Sequence, residues 1–302
     1  MKLFYYKDKI GNFGDDLNAW LWPKLLDGIL NEDTNEYFVG IGTILNHKLP
    51  EQGKLIVFGS GYGYGEIPLV SERFDIFCVR GPKTAEALGI DRELAITDSA
   101  ALLAVLTEEA FWKTEKKYKF SFMPHCDSAL NADWDKVCEL AGIHYIDPAA
   151  GVEDTLREIV ATEVLITEAM HGAIVADTLR VPWVAVSCYD YINEFKWQDW
   201  ASTVGVRYSP HSIIPLWNAD RNKTTKEQFK SKLKRLLKRV GIWNESWDEP
   251  PPAKSSQGLY QRAVKELQDA KNITPILSGD SEFKQVLDRL QSKLQEFKKK
   301  YG

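Results

Sequence analysis

From residue 2 to residue 187, short apolar runs alternate with longer stretches of helical periodicity, and this alternation leaves few folds open. A short run rich in Phe, Ile and Val suits one buried strand. A helix between two such runs carries the chain back to begin a parallel neighbour. Strands are expected over 2–6, 55–58, 75–79, 119–123, 143–146, 163–166 and 183–187. Helices are expected over 17–26, 83–88, 99–106, 134–141, 152–161 and 170–179. Asp15 or Asp16 is the expected cap of the first helix. Pro82 before the second and Gly89 after it follow the usual asymmetry of helix ends. The fold class is therefore α/β, and in such sheets ligands sit beyond the carboxyl ends of strands.

The polar stretch 107–119 divides the pattern in two. After Tyr208 it gives way to helices alone, over 224–240, 257–271 and 281–301, with Pro250-Pro251-Pro252 after the first. A chain of 302 residues accommodates two units, each with its own core. The expected division is 1–112, 113–212 and a basic helical extension over 213–302.

Composition narrows the partners. With 44% hydrophobic and 27% charged residues the chain is neither disordered nor collagen-like. No apolar run approaches the roughly 20 residues of a membrane-spanning helix. The start, MKLFYYKDKIGNFGDD, lacks the basic and apolar regions of a secretory signal, so a cytoplasmic location is expected. The net charge of −5 conceals an asymmetry. Residues 221–302 carry 19 Lys and Arg against 10 Asp and Glu, or +9, leaving 19 basic and 33 acidic residues, or −14, before them. Such a tail suggests contact with an anionic surface, membrane or nucleic acid; its alternative is a solvated face with no partner. Cys78, Cys126, Cys138 and Cys188 form no CxxC pair, and the histidines show no HxxxH spacing, so no metal site is expected.

Several polar clusters fall at strand ends. Gly11-Asn12-Phe13-Gly14-Asp15-Asp16 opens a helix, where backbone N–H groups could meet an anion. Its two aspartates fit capping, or a hydrogen bond to a sugar hydroxyl, better than phosphate. Gly59-Ser60-Gly61 begins a glycine-rich loop that allows close backbone approach, or serves only as a connection. Arg80 between strand and helix could clamp a carboxylate or phosphate, or form an ordinary ion pair. His125 and His171 are placed to move protons near neutral pH, unless they are structural.

Taken in order, GNFGDD, FVGIGTIL, VFGSGYGYG, VRGPKTAEALG, ITDSAALL, MPH and ITEAMHGAIVADTLRVPWVAV resemble the polysaccharide pyruvyltransferase family. The likeness covers about residues 1–205 and is strongest to the ketal-forming enzymes of exopolysaccharide, succinoglycan-type, synthesis. It implies a GT-B-like fold, two Rossmann-like domains facing a cleft, followed here by the C-terminal helical tail. It implies phosphoenolpyruvate as donor substrate with no cofactor or metal, and a lipid-linked oligosaccharide or polysaccharide as acceptor. Pyruvate then forms a cyclic ketal on a hexose. Arg80 and His171 match the family's donor-site Arg and the His of its SxRLHG motif. On this reading His171 is the general acid and Arg80 the donor clamp. His125, matching a PH pair, or Asp15 is the base. Asn12, Gly14 and Asp15 match the GNxGD turn, and Tyr189 and Lys196 a later Y…K segment. Gly59, Ser60 and Gly61 join the substrate-binding set. Ala169 stands where the family has an Arg, so the anion is expected to lean on Arg80 and Lys196. Tyr62, Tyr64, Tyr189, Tyr191, Trp197 and Trp200 are candidates for stacking on sugar. The basic tail would then dock peripherally on the inner membrane face, and nucleic acid is not an expected partner. The rival readings are a GT-B glycosyltransferase using a nucleotide-sugar and a non-catalytic glycan-binding protein.

Overall fold

The alternation resolves into two parallel sheets. In the computed structural model, all residues are described except 8, 107–109, 219, 221–223 and 241–251. The expected polar separator therefore falls partly, and the Pro250-Pro251-Pro252 break mostly, outside the described residues. The first sheet runs in sequential order through β1 (Lys2–Phe4), β2 (Glu36–Val39), β3 (Lys54–Phe58) and β4 (Phe74–Cys78). The second is built from β5 (Tyr118–Met123), β6 (His144–Tyr145), β7 (Thr162–Thr167), β8 (Trp183–Ser187) and β9 (His211–Ser212), in the order β6-β5-β7-β8-β9. Every pairing within both sheets is parallel.

In the second sheet the chain moves one way from β5 to β6 and the other way to β7. The strand order thus reverses at β5, and a crevice opens beyond the carboxyl ends of β5 and β7, where such sheets bind ligands.

The helices are α1 (Phe13–Leu25), α2 (Pro82–Leu88), α3 (Cys126–Asn131), α4 (Trp134–Ala141), α5 (Val152–Val160), α6 (Met170–Thr178), α7 (Glu194–Ala201), α8 (Thr225–Arg239), α9 (Gln257–Ala270) and α10 (Asp280–Tyr301). Two details differ from expectation. Asn12, rather than Asp15 or Asp16, caps α1: its side chain accepts the Gly14 N–H at 3.1 Å, so the helix starts a turn earlier. The expected helix at 99–106 is a 3-10 helix, Ser99–Val105, capped by Asp98.

The last two helices are parts of the cores. Phe297 of α10 is fully buried and meets Phe38, Phe77 and Phe58 edge-on, at ring distances of 5.2, 5.4 and 6.2 Å. In α9, Ala263, Leu267 and Ala270 pack with Trp134, Val137, Cys138 and Ala141 of α4. Both helices bury an apolar stripe and leave their charges in water. By contrast α8 keeps a run of apolar side chains outside, with Phe229, Leu233 and Leu236 exposed. Among the described residues no helix is long and apolar enough to cross a membrane.

Candidate active site

A cavity of about 740 Å³ is lined from both halves of the chain, by Asn12, Gly14, Asp15, Thr43 and Tyr64 on one side and by His125, Cys126, Asp127, Ala169, His171 and Lys196 on the other. Two helix N-termini open into it. At α1, Asn12 holds the Gly14 N–H and its own N–H donates to Asp16 Oδ2 at 3.1 Å. Its amide also reaches Cys126 Sγ at 3.6 Å, and Phe13 N–H donates to Pro148 O at 2.9 Å, so the turn is tied to the second half. At α6, the Ala169 N–H donates to Thr167 Oγ1 at 3.0 Å, and His171 is the second residue of the helix. These N-termini carry partial positive charge, which favours an anion in the cavity.

Gly14 and His171 face each other so closely that a Cβ at position 14 would overlap the imidazole. The glycine therefore lets the α1 turn lie against the ring. Lys196, near the start of α7, adds a cation and sits over the Tyr64 ring at 4.5 Å. Burial, reinforced by the charge of Arg80, lowers its pKa to about 8. His125 caps α3, its Nδ1 accepting the Asp127 N–H at 3.3 Å. Burial first, then the charges of Lys196 and His171, lower its pKa to about 4. At neutral pH it is an uncharged ring, and its Nδ1 also lies 3.6 Å from Asp127 Oδ2 and 3.6 Å from Cys126 Sγ.

Glu168 fixes this geometry from behind. It is fully buried and accepts the Cys188 N–H at 2.6 Å and the His125 N–H at 3.2 Å, joining the ends of β5, β7 and β8. Burial raises its carboxyl above the usual range, against hydrogen bonds that pull the other way. His125, Cys126 and Asp127 also bring Nδ1, Sγ and a carboxylate within 4.8 Å of one another, a group able to hold a cation that no spacing rule would flag because the residues are contiguous.

Five of the expected positions lie outside the cavity lining. Arg80 does not line the cavity: its side chain is buried, and Nε donates to Asp199 Oδ2 at 3.1 Å, Nη1 to Thr43 Oγ1 at 2.8 Å and Nη2 to Tyr62 O at 2.7 Å. In this arrangement it braces the glycine-rich loop against α7. Gly59, Ser60 and Gly61 also lie behind the wall. Ser60 donates to Val39 O at 2.9 Å and to Gly40 O, while a Cβ at Gly61 would overlap the Arg80 guanidinium. Tyr189 is buried, its hydroxyl donating to Leu216 O at 2.5 Å. Of the proposed stacking aromatics, Trp197 and Trp200 are core residues, whereas Tyr64 lines the cavity and Tyr191 is exposed.

Sequence reading gave no role to Asp98, Cys126, Asp127, Glu168 or Asp199. Asp98 lies in the ITDSAALL segment, just before the 3-10 helix Ser99–Val105.

Two parallel sheets sharing a cavity with histidines, a lysine and two helix N-termini define an α/β protein with an anion-directed site. The family profile described as Polysaccharide pyruvyl transferase matches residues 12–191, which include every wall residue named above except Lys196. The succinoglycan biosynthesis protein ExoV of Rhizobium meliloti (strain 1021) is 46% identical over 216 residues, covering 70% of this chain and 68% of that protein. The chain belongs to the polysaccharide pyruvyl transferase family, and it is a transferase of pyruvyl groups.

Proposed function

We propose that the protein transfers pyruvate from phosphoenolpyruvate to a hexose of an exopolysaccharide repeat unit, forming a cyclic ketal. The observation that carries this reading is the joining of Lys196, His171 and the N-termini of α1 and α6 around one cavity. The donor's carboxylate and phosphate call for that set. The relative's role in succinoglycan biosynthesis supports an exopolysaccharide acceptor. The finer architecture we propose is GT-B-like, with Rossmann-like domains over 1–112 and 113–212 facing across the cavity. Residues from both halves in its wall support this.

In the chemistry we infer, His171 delivers a proton to C3 of the donor, turning its methylene into a methyl and leaving C2 oxocarbenium-like. An acceptor hydroxyl, its proton taken by Asp15, adds to C2. The C2–O bond to phosphate then breaks, phosphate leaves with the proton held by Asp15, and the second hydroxyl closes the ketal, its proton returning to His171. Lys196 and the helix ends hold the anion, and His125 donates from Nε2 to an oxygen. Positioned acids and bases contribute about 10²–10⁴-fold to such steps. No cofactor or metal enters this scheme.

The acceptor we propose is a lipid-linked oligosaccharide, met at the cytoplasmic face of the membrane through α8. That helix exposes Phe229, Leu233 and Leu236, and most of the remaining surface is basic, including Lys226, Lys230, Lys232 and Lys234. A basic helix with an apolar stripe suits an anionic lipid surface.

The test is incubation of the full chain with phosphoenolpyruvate and an oligosaccharide acceptor, followed by mass spectrometry and phosphate release. The expected product gains one pyruvate less one water, with one phosphate freed. Transfer from a nucleotide-sugar instead, or no transfer from either donor, overturns the reading.

A further inference from the structure

Asp98 and His171 come from different halves of the chain and meet behind the cavity wall. Asp98 is fully buried, and one carboxylate oxygen is committed: Oδ1 accepts the Ala100 N–H at 3.0 Å and caps the 3-10 helix Ser99–Val105. The other oxygen, Oδ2, is sealed from solvent without a hydrogen bond. Nε2 of His171 is sealed in the same way. These two atoms lie 3.6 Å apart. Buried polar atoms without partners are rare, because each has given up its water and received nothing in return. Here they answer one another. An ionised carboxylate can only accept, so the pair is satisfied when Nε2 carries the proton.

The opposite edge of the ring is set as firmly. Its Nδ1, Cγ and Cε1 atoms lie against Gly14, and both residues line the cavity. α6, which bears His171, packs on the 3-10 helix that Asp98 caps. The imidazole is thus held between a carboxylate behind and a bare backbone in front.

We propose that Asp98 is the positioning residue for His171, fixing the neutral ring as the Nε2–H tautomer so that Nδ1 alone exchanges a proton with the substrate. This rests on the pyruvyl-transfer reading only for the substrate; the tautomer itself is a property of the free protein. When Nδ1 passes its proton to carbon, Nε2 keeps its own, and the ring returns to the same orientation for the next turnover.

The decisive variant is Asp98→Asn. Its Oδ1 can still cap Ala100, so the local fold is preserved, but it sets an amide donor against Nε2. Nitrogen-15 correlation spectra of the full chain, recorded where the ring is neutral and assigned with His171→Gln, read the tautomer without substrate. The wild type is expected to show Nε2–H and the variant Nδ1–H. In parallel, kcat is expected to fall about 10²–10⁴-fold, the range of a lost acid–base function, with the donor KM little changed. Asp98→Glu, which keeps an acceptor, is expected to retain the wild-type tautomer. A wild-type ring protonated on Nδ1, or an Asp98→Asn enzyme with wild-type kcat, overturns the proposal. If Asp98→Asn fails to fold, the wild-type spectrum alone decides the tautomer. If the wild type transfers no pyruvate, the functional reading fails while the spectra still decide the pair.

Discussion

Nε of Arg80 and Oδ2 of Asp199 lie 3.1 Å apart with neither side chain exposed, and the same carboxylate accepts the Thr84 hydroxyl at 2.6 Å and the N–H groups of Lys83 and Thr84 at 2.9 and 3.0 Å. One aspartate of α7 therefore neutralises the arginine and ties down the start of α2. A buried ion pair with this many hydrogen bonds is costly to break, because removing one partner strands the other charge.

Arg80→Ala is accordingly expected to destabilise the protein by about 3–5 kcal/mol. The removal of both partners, Arg80→Met with Asp199→Leu, should cost less than the sum of the single changes. Denaturant midpoints of the wild type, Arg80→Ala, the two single changes and the double variant measure this. A donor clamp predicts the reverse: a raised donor KM with stability intact.

Gly14→Ala separates packing of the helix from placement of the ring. Alanine at an α1 position favours the helix by about 1 kcal/mol over glycine. The added Cβ would displace His171, and a misplacement of about 1 Å can cost roughly 10²-fold in rate. The expected outcome is a large loss of kcat with a melting temperature near wild type. Unchanged kcat would show that the ring position does not matter.

Lys196 gives the donor-binding step a pH signature. Its pKa is lowered to about 8, by burial first and then by Arg80. Below about pH 8 the ammonium is charged and holds the anion. As pH rises through that value the charge and the donor affinity are lost, so kcat/KM is expected to fall on the alkaline side. Lys196→Arg should remove that fall, because a guanidinium stays charged. Lys196→Met should lower kcat/KM by about 10–100-fold below pH 8, since a hydrogen bond to a charged group is worth about 1.5–3 kcal/mol, with the deficit shrinking above that pH. Steady-state kinetics against phosphoenolpyruvate across the range check all three.

The ends of strands were the legible part of this site. Asn12, His125 and His171 stand where apolar runs stop, and a parallel sheet places such positions together. Pairing between distant residues was not legible. Arg80 is 119 residues from Asp199, and nothing local distinguishes an arginine that is paired from one that awaits a ligand. The same holds for Asp98 and His171. Short elements were also lost: β2 follows a polar stretch, β9 has two residues, and the eight-residue α7 sits among bulky aromatics that suit either core or surface. The C-terminal helices showed their periodicity but not their destination, because an apolar stripe does not name the sheet it covers.

That destination makes α10 indispensable. Phe297 is fully buried against Phe38, Phe58 and Phe77, so Phe297→Ala should cost about 3–5 kcal/mol. Thermal melts of the variant measure it. Loss of less than about 1 kcal/mol would mean that the first sheet does not depend on the last helix, contrary to the usual cost of emptying an aromatic site.

The positive charge of the tail is concentrated where packing is weakest. Lys226, Lys230, Lys232, Lys234, Arg235, Lys238 and Arg239 lie on α8, opposed within the helix only by Glu227, whereas α9 and α10 spend their apolar faces on the cores. Each Lys or Arg near an anionic bilayer contributes about 1 kcal/mol, so replacing three of them with acids reverses much of the attraction. Flotation with vesicles containing phosphatidylglycerol should recover the wild type, and recovery should fall as salt is raised. The triple variant Lys230→Glu, Lys234→Glu, Lys238→Glu should remain in the unbound fraction while transferring pyruvate to a soluble acceptor at the wild-type rate, because α8 contributes nothing to the cavity wall. Equal flotation of the two proteins would remove α8 as the membrane contact and leave its charges as a solvated face.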